Sequence, residues 1–148
     1  MRSDLTILAF DTSAAHCAAA LLWGDRLLAQ RHEEMGRGQA ERLMPLLEEV
    51  LAEAGLMWSD IQRIGVGIGP GNFTGIRISV SAARGLALGL GIPAVGVDGF
   101  DAVAAVEDGT GTVCIPAPRG HGYLRDPETG APFLASPDTL MNLTQGTT

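Results

Sequence analysis

Between Leu5 and Phe10 every position but Thr6 is apolar, and the run stops at Asp11-Thr12-Ser13. A second run, His16 to Trp23, closes at Gly24-Asp25, and Arg26 to His32 follows with mixed alternation. Short apolar stretches broken by Asp, Ser and Gly predict three consecutive strands joined by tight turns. The period then changes. Leu43, Leu46, Leu47, Val50, Leu51 and Ala54 fall at i, i+3, i+4, i+7, i+8 and i+11, the stripe of an amphipathic helix over 39–54 that ends at Gly55. Ser59-Asp60 marks a short turn and Ile64 to Ile68 a buried strand. Residues 76–90 have helical period and are apolar on nearly every side, so that helix needs cover from more than one direction. Pro93 to Val97 reads as another strand, with Asp98 capping a helix over 102–106.

Three strands followed by helix, strand, helix, strand and helix give a mixed sheet flanked by helices, the order of a ribonuclease H-like core. That sets a first domain at 1–106. Beyond it the composition turns to Gly, Pro, Asp and Thr, with short apolar stretches between. Residues 107–148 are expected to form one or two hairpins and a last short helix opened by Ser136-Pro137-Asp138. About forty such residues make a poor independent domain.

Composition narrows the chemistry. All ten basic residues are Arg, which removes the Walker A lysine and every lysine-amine mechanism. Cys17 and Cys114 stand alone in apolar runs, and His16, His32 and His121 show no metal-ligand spacing, so no metal site is expected. The net charge of -7 repels nucleic acid, and RNA contact would need a partner's charge. The apolar N-terminal run is too short and too quickly charged for a signal peptide or membrane span, which points to the cytoplasm.

Three features remain as candidate sites. Gly69-Pro70-Gly71-Asn72-Phe73-Thr74-Gly75 follows a buried strand and precedes a helix. It reads either as an anion cradle with Arg77 nearby, or as a tight turn in which Thr74 caps the helix and Phe73 plugs the core. Asp11, Thr12 and Ser13 occupy the corner where a phosphate-binding turn would sit, or else satisfy backbone amides of a hairpin. Ser81, Gly85 and Gly89 recur at i, i+4 and i+8 beside Ile78, Ala82, Leu86 and Leu90, with Arg77 and Arg84 on a common side. This small-residue ridge allows close approach of a second helix or of the chain's own sheet.

The strings Ile7-Leu8-Ala9-Phe10-Asp11-Thr12-Ser13, Glu41-Arg42-Leu43-Met44-Pro45, Gly67 to Arg77 and Gly91 to Val97 resemble the TsaB family in order and spacing over residues 5 to about 106. The resemblance implies an actin-like fold with a truncated second domain, and a non-catalytic subunit without a cofactor of its own. It implies pairing with the catalytic subunit TsaD, assistance from the ATPase TsaE, a homodimer when alone, and contact with tRNA only through the complex that places threonylcarbamoyl on the adenosine beside the anticodon. On segments 39–54 and 76–90, which form the dimer surface in that family, it points to Arg42, Leu43, Leu46, Leu47, Val50, Arg77, Ser81, Arg84, Gly85, Leu88 and Gly89. Two departures stand out: Gln39 where family members often carry His, and Pro116 where they carry Asp. The rival expectation is an ATP- or metal-dependent phosphotransferase or peptidase acting through Asp11, Thr12 and Ser13.

Overall fold

The structure is a computed structural model that describes residues 4–106 and 111–145. The chain divides into two compact units, Met1–Val97 and Asp98–Thr148. The domain boundary expected at 106/107 adjoins residues 107–110, which lie outside the described residues.

In the first unit, strands β1 (Thr6–Asp11), β2 (His16–Trp23), β3 (Arg26–Glu34), β4 (Arg63–Gly67) and β5 (Ala94–Val97) form one sheet in the order β3-β2-β1-β4-β5. The three N-terminal strands pair antiparallel, while β4 and β5 continue the sheet in parallel. Helix α1 (Gln39–Ala54) makes the crossover before β4, and α2 (Phe73–Leu90) the one between β4 and β5. Such crossovers are what parallel neighbours require.

The period of two decides which face is core. Leu8 and Phe10 are buried opposite Leu21 and Ala19 on one side and Ile64 and Val66 on the other, so one face of the sheet is continuous across three strands. The stripe of α1 closes over it: Leu43, Leu46, Leu47, Val50 and Leu51 are all buried in the same cluster. Each such side chain contributes roughly 2 kcal/mol of transfer free energy. Helix α1 packs on β2 and β3, and α2 on β4. Gly55 and Gly91, both at positive φ, end the two helices and return their amides to the last turn.

Two local expectations are corrected. The cap of α2 is Asn72, whose side-chain oxygen accepts from the Gly75 amide at 2.8 Å, and Thr74 lies inside the first turn. Phe73, expected to plug the core, is 72% exposed, because the helix begins at Phe73 itself and turns that position away from the sheet.

The second unit holds α3 (Gly99–Val106), an antiparallel meander of β6 (Ile115–Pro116), β7 (Gly122–Arg125) and β8 (Pro132–Ala135), and α4 (Pro137–Gln145). Asp98 caps α3 through the Phe100 amide at 2.7 Å, so the helix starts earlier than its apolar pattern indicated. Arg125 ties β7 to α3, pairing with Asp98 at 2.5 Å and Asp101 at 3.0 Å, with its guanidinium 4.9 Å above the Phe100 ring. Ser136 caps α4 through the Thr139 amide.

Candidate functional site

The corner after β1 is built around one carboxylate. Asp11 Oδ2 accepts from the Ser13 amide at 3.1 Å and the Ser13 hydroxyl at 2.8 Å, and is 2.6 Å from His16 Nε2. Burial works to raise the Asp11 pKa; the hydrogen bonds from His16 and Ser13, with the charge of His16, outweigh it and hold the carboxyl below its ordinary value. The carboxylate sits between serine and histidine. Ser13 donates to Asp11 and not to an imidazole, so the three residues do not form a nucleophile activated by a base.

Thr12 points to the other side of the strand. Its hydroxyl donates to the Gly75 carbonyl at 2.6 Å and accepts from the Ser79 hydroxyl, and both side chains are fully buried. The Asn72 amide donates to the Ser13 carbonyl at 2.7 Å. The glycine-rich loop is pressed against this corner: a Cβ at Gly71 would overlap the Ser13 carbonyl, and one at Gly75 the Thr12 carbonyl. Glycine is therefore needed at Gly71 and Gly75 for the approach of two backbones. The Gly69-Pro70 peptide bond is cis, and with Thr74 it completes the turn that launches α2.

Asp11, Thr12 and Ser13, expected as a nucleotide-binding turn, are engaged with one another and with the glycine-rich loop. The Thr12 hydroxyl, the Ser13 hydroxyl and the Ser13 amide already have partners inside the chain, and the remaining charge is that of a carboxylate. A phosphate would meet an acceptor where it needs donors. Beside the corner lies an open cavity of about 570 Å³ lined by His16, His32, Glu34 and Met35, with the two imidazole rings 5.1 Å apart. No cluster of three or more His, Cys, Asp or Glu side chains among the described residues could hold a metal ion.

The second candidate is the outer side of α1 and α2. Leu43, Leu46, Leu47 and Val50, expected at an interface, are at most 1% exposed, because the stripe that identified them is the one that seats α1 on its own sheet. Arg42, expected at the same interface, is engaged within its own unit. Its guanidinium bridges Glu33 of β3 at 2.7 Å and 2.8 Å and Glu49 at 2.7 Å and 3.0 Å. These bonds raise the Arg42 pKa further and lower those of Glu33 and Glu49. This is a strut within the unit.

On α2 the expected positions do come together at the surface. Arg77, Ser81, Arg84, Gly85, Leu88 and Gly89 are all exposed, Leu88 at 86%. A groove of about 480 Å³ runs between the helices, with Ala40 and Met44 on one side and Phe73, Arg77 and Ser81 on the other. The Arg77 guanidinium lies 5.3 Å from the centre of the Phe73 ring. Among the described residues a Cβ at Gly85 or Gly89 would meet no atom within 4 Å, so their packing does not require glycine there. Ala40 and Met44 were missed in the sequence, and Phe73, expected there as a core plug of the loop, lines the groove instead. Met44 could have been found, since it lies one position off the buried stripe and so faces out.

A family model described as TsaD, tRNA N6-adenosine threonylcarbamoyltransferase, matches residues 29–121. The chain belongs to this family, as a TsaB/YeaZ-like member. The TsaB protein of Escherichia coli (strain K12) is 39% identical over 93 residues, which are 63% of this chain and 40% of that protein. The TsaB protein of Bacillus subtilis is 34% identical over 122 residues, 80% of this chain and 53% of that one. Both are named as tRNA threonylcarbamoyladenosine biosynthesis proteins. YeaZ from Pseudomonas aeruginosa superposes with a TM-score of 0.71 at 34% identity, covering 89% of this chain and 65% of that one. A ROK hexokinase from Thermus thermophilus, at 24% identity and a TM-score of 0.50, shares the fold alone. The fold is thus the expected actin-like α/β class. The chain spans between 40% and 57% of the length of the curated relatives it matches.

Proposed function

We propose that the chain serves tRNA threonylcarbamoyladenosine biosynthesis in the cytoplasm as a non-catalytic subunit that pairs with TsaD through the outer side of α1 and α2, touching tRNA only through that complex. The observation that carries the reading is the open ridge at Gly85 and Gly89 beside a groove with exposed Met44, Phe73 and Leu88. Exposed apolar side chains around a site where helix backbones can approach closely suit helix-on-helix docking. The chain supplies no catalytic group and takes no cofactor on this reading, in keeping with an Asp11 corner whose Thr12 and Ser13 hydroxyls are engaged internally.

Mixing the chain with TsaD and measuring mass in solution tests it. A one-to-one complex that is lost in Gly85→Leu is the expected result. No complex, or one indifferent to Gly85→Leu, would overturn the reading. Calorimetry with ATP addresses the rival enzyme: heat of binding to the isolated chain that disappears in Asp11→Asn would favour it.

A further inference from the structure

We propose that Arg119, at the tip of the β6–β7 hairpin, binds a phosphate of the tRNA backbone when the chain stands in its complex with TsaD. This rests on the function proposed above and adds to it a direct contact with the RNA.

Between β6 and β7 the chain reverses at Pro118-Arg119-Gly120-His121. The Ala117 amide donates to the His121 carbonyl at 2.9 Å, and the His121 amide to the Pro118 carbonyl at 3.3 Å. Both central residues are at positive φ, Arg119 at 62° and Gly120 at 73°. Two left-handed residues in a row make a tight hairpin turn whose favoured sequence is Asn-Gly, because those residues tolerate the conformation best. Gly120 meets the requirement and Arg119 does not. Its Cβ crowds the backbone, and among the described residues no other residue with a side chain has positive φ. A strained residue persists where something other than local preference keeps it, and the fold supplies no such reason here. Arg119 is exposed, and its guanidinium makes no hydrogen bond or ion pair among the described residues. Only its carbonyl is used, 3.2 Å from His121 Nδ1, a contact that any residue at 119 would offer. The other arginine of the second unit, Arg125, is held by Asp98 and Asp101.

The use of this side chain therefore lies outside the chain. A guanidinium is a rigid fork of N–H donors that suits an oxyanion. The turn carries no large exposed apolar side chain; those of the second unit stand on α3, β8 and α4. A protein contact is built around an apolar centre, whereas a phosphate contact needs only a donor that reaches out. The TsaB relatives are named for tRNA threonylcarbamoyladenosine biosynthesis, and tRNA carries a phosphate at every nucleotide. One arginine on a chain of net charge -7 does not attract RNA by itself, so the contact is made in the complex, where the RNA is already held.

The test titrates unmodified tRNA transcript into the complex of the full chain with TsaD at several salt concentrations, for wild type, Arg119→Asn and Arg119→Lys. The melting temperature of each free chain is measured alongside. Arg119→Asn should melt no lower than wild type, since asparagine suits the turn, yet bind tRNA about threefold or more weakly. Its plot of log affinity against log salt should be shallower by about 0.7–0.9, the loss of one phosphate contact, while Arg119→Lys keeps the wild-type slope. If the complex forms and Arg119→Asn binds tRNA with wild-type affinity and slope, or the wild-type complex binds no tRNA, the phosphate inference fails and the docking reading stands. A melting temperature lowered by more than about 2 °C in Arg119→Asn would assign the guanidinium to the fold, and weaker TsaD binding without RNA would assign it to the protein partner. Either result overturns the inference. If the wild type binds no TsaD, both readings fail.

Discussion

Thr12 and Ser79, 67 positions apart, share a hydrogen bond between two fully buried hydroxyls, joining the end of β1 to the first turns of α2. Because the Thr12 proton goes to the Gly75 carbonyl, Ser79 is the donor in the pair. Removing Thr12's hydroxyl leaves the buried Ser79 hydroxyl without its acceptor, while the Gly75 carbonyl keeps its bond in the helix ladder. Thr12→Val should cost about 1–3 kcal/mol, the desolvation penalty of a buried polar group left unpaired. Ser79→Ala leaves Thr12 its Gly75 acceptor and should cost about 1 kcal/mol. The double variant should lose less than the sum of the two, and urea unfolding of all four proteins measures the coupling.

The glycines of the loop and those of the helix should respond oppositely to the same substitution. Gly75→Ala places a methyl against the Thr12 carbonyl, and a displaced backbone of this kind costs about 1–3 kcal/mol. Gly85→Ala meets nothing, and should stabilise the isolated chain by up to about 1 kcal/mol because alanine is the better helix former. Thermal unfolding of the two variants beside wild type reads the sign directly.

That contrast also explains what the sequence discloses and what it hides. The strands and both long helices are legible because period two and period 3.6 are simple consequences of burying one face. Leu43, Leu46, Leu47 and Val50 mark a helix unambiguously. They cannot be sorted into core or interface by pattern, since a stripe that seats a helix on its own sheet looks the same as one that docks a partner. Asp11, Thr12 and Ser13 resist for a related reason. A turn whose hydroxyls bind phosphate and one whose hydroxyls bind Gly75 and Asp11 use the same letters, and the difference lies in contacts more than 60 positions away. The exposure of Phe73 was illegible because it depends on Asn72, and not Thr74, capping the helix.

Acid should weaken the first unit through Asp11. Its folded-state pKa lies below the ordinary carboxylate value of about 3.9, so the stabilisation is present above that value and is lost as pH falls through the lowered folded-state pKa. Asp11→Asn keeps the shape and removes this titration. Stability against urea, followed from pH 6 down to about pH 3, should therefore fall less steeply in Asp11→Asn than in wild type over the acid end of the range. Equal slopes would mean that the Asp11 carboxylate has no net preference for its folded surroundings.

The ion pairs that hold Arg42 within its unit give a separate expectation for docking. Its guanidinium is engaged by Glu33 and Glu49, so Arg42→Met should leave TsaD affinity within about twofold of wild type, because no group that faces the groove is altered. Leu88 is the opposite case. It lies 86% exposed on the same helix as Gly85, and a leucine in water gains by being covered. Leu88→Ala should leave the fold of the isolated chain unchanged within about 0.5 kcal/mol, as for any surface substitution away from special features. The same change should weaken the TsaD complex by about 1–2 kcal/mol, or roughly five- to thirtyfold in affinity, if the side chain becomes buried there. Titration calorimetry of Arg42→Met and Leu88→Ala against TsaD separates the two: an interface centred on α1 would reverse their order, with Arg42→Met the damaging change and Leu88→Ala the silent one.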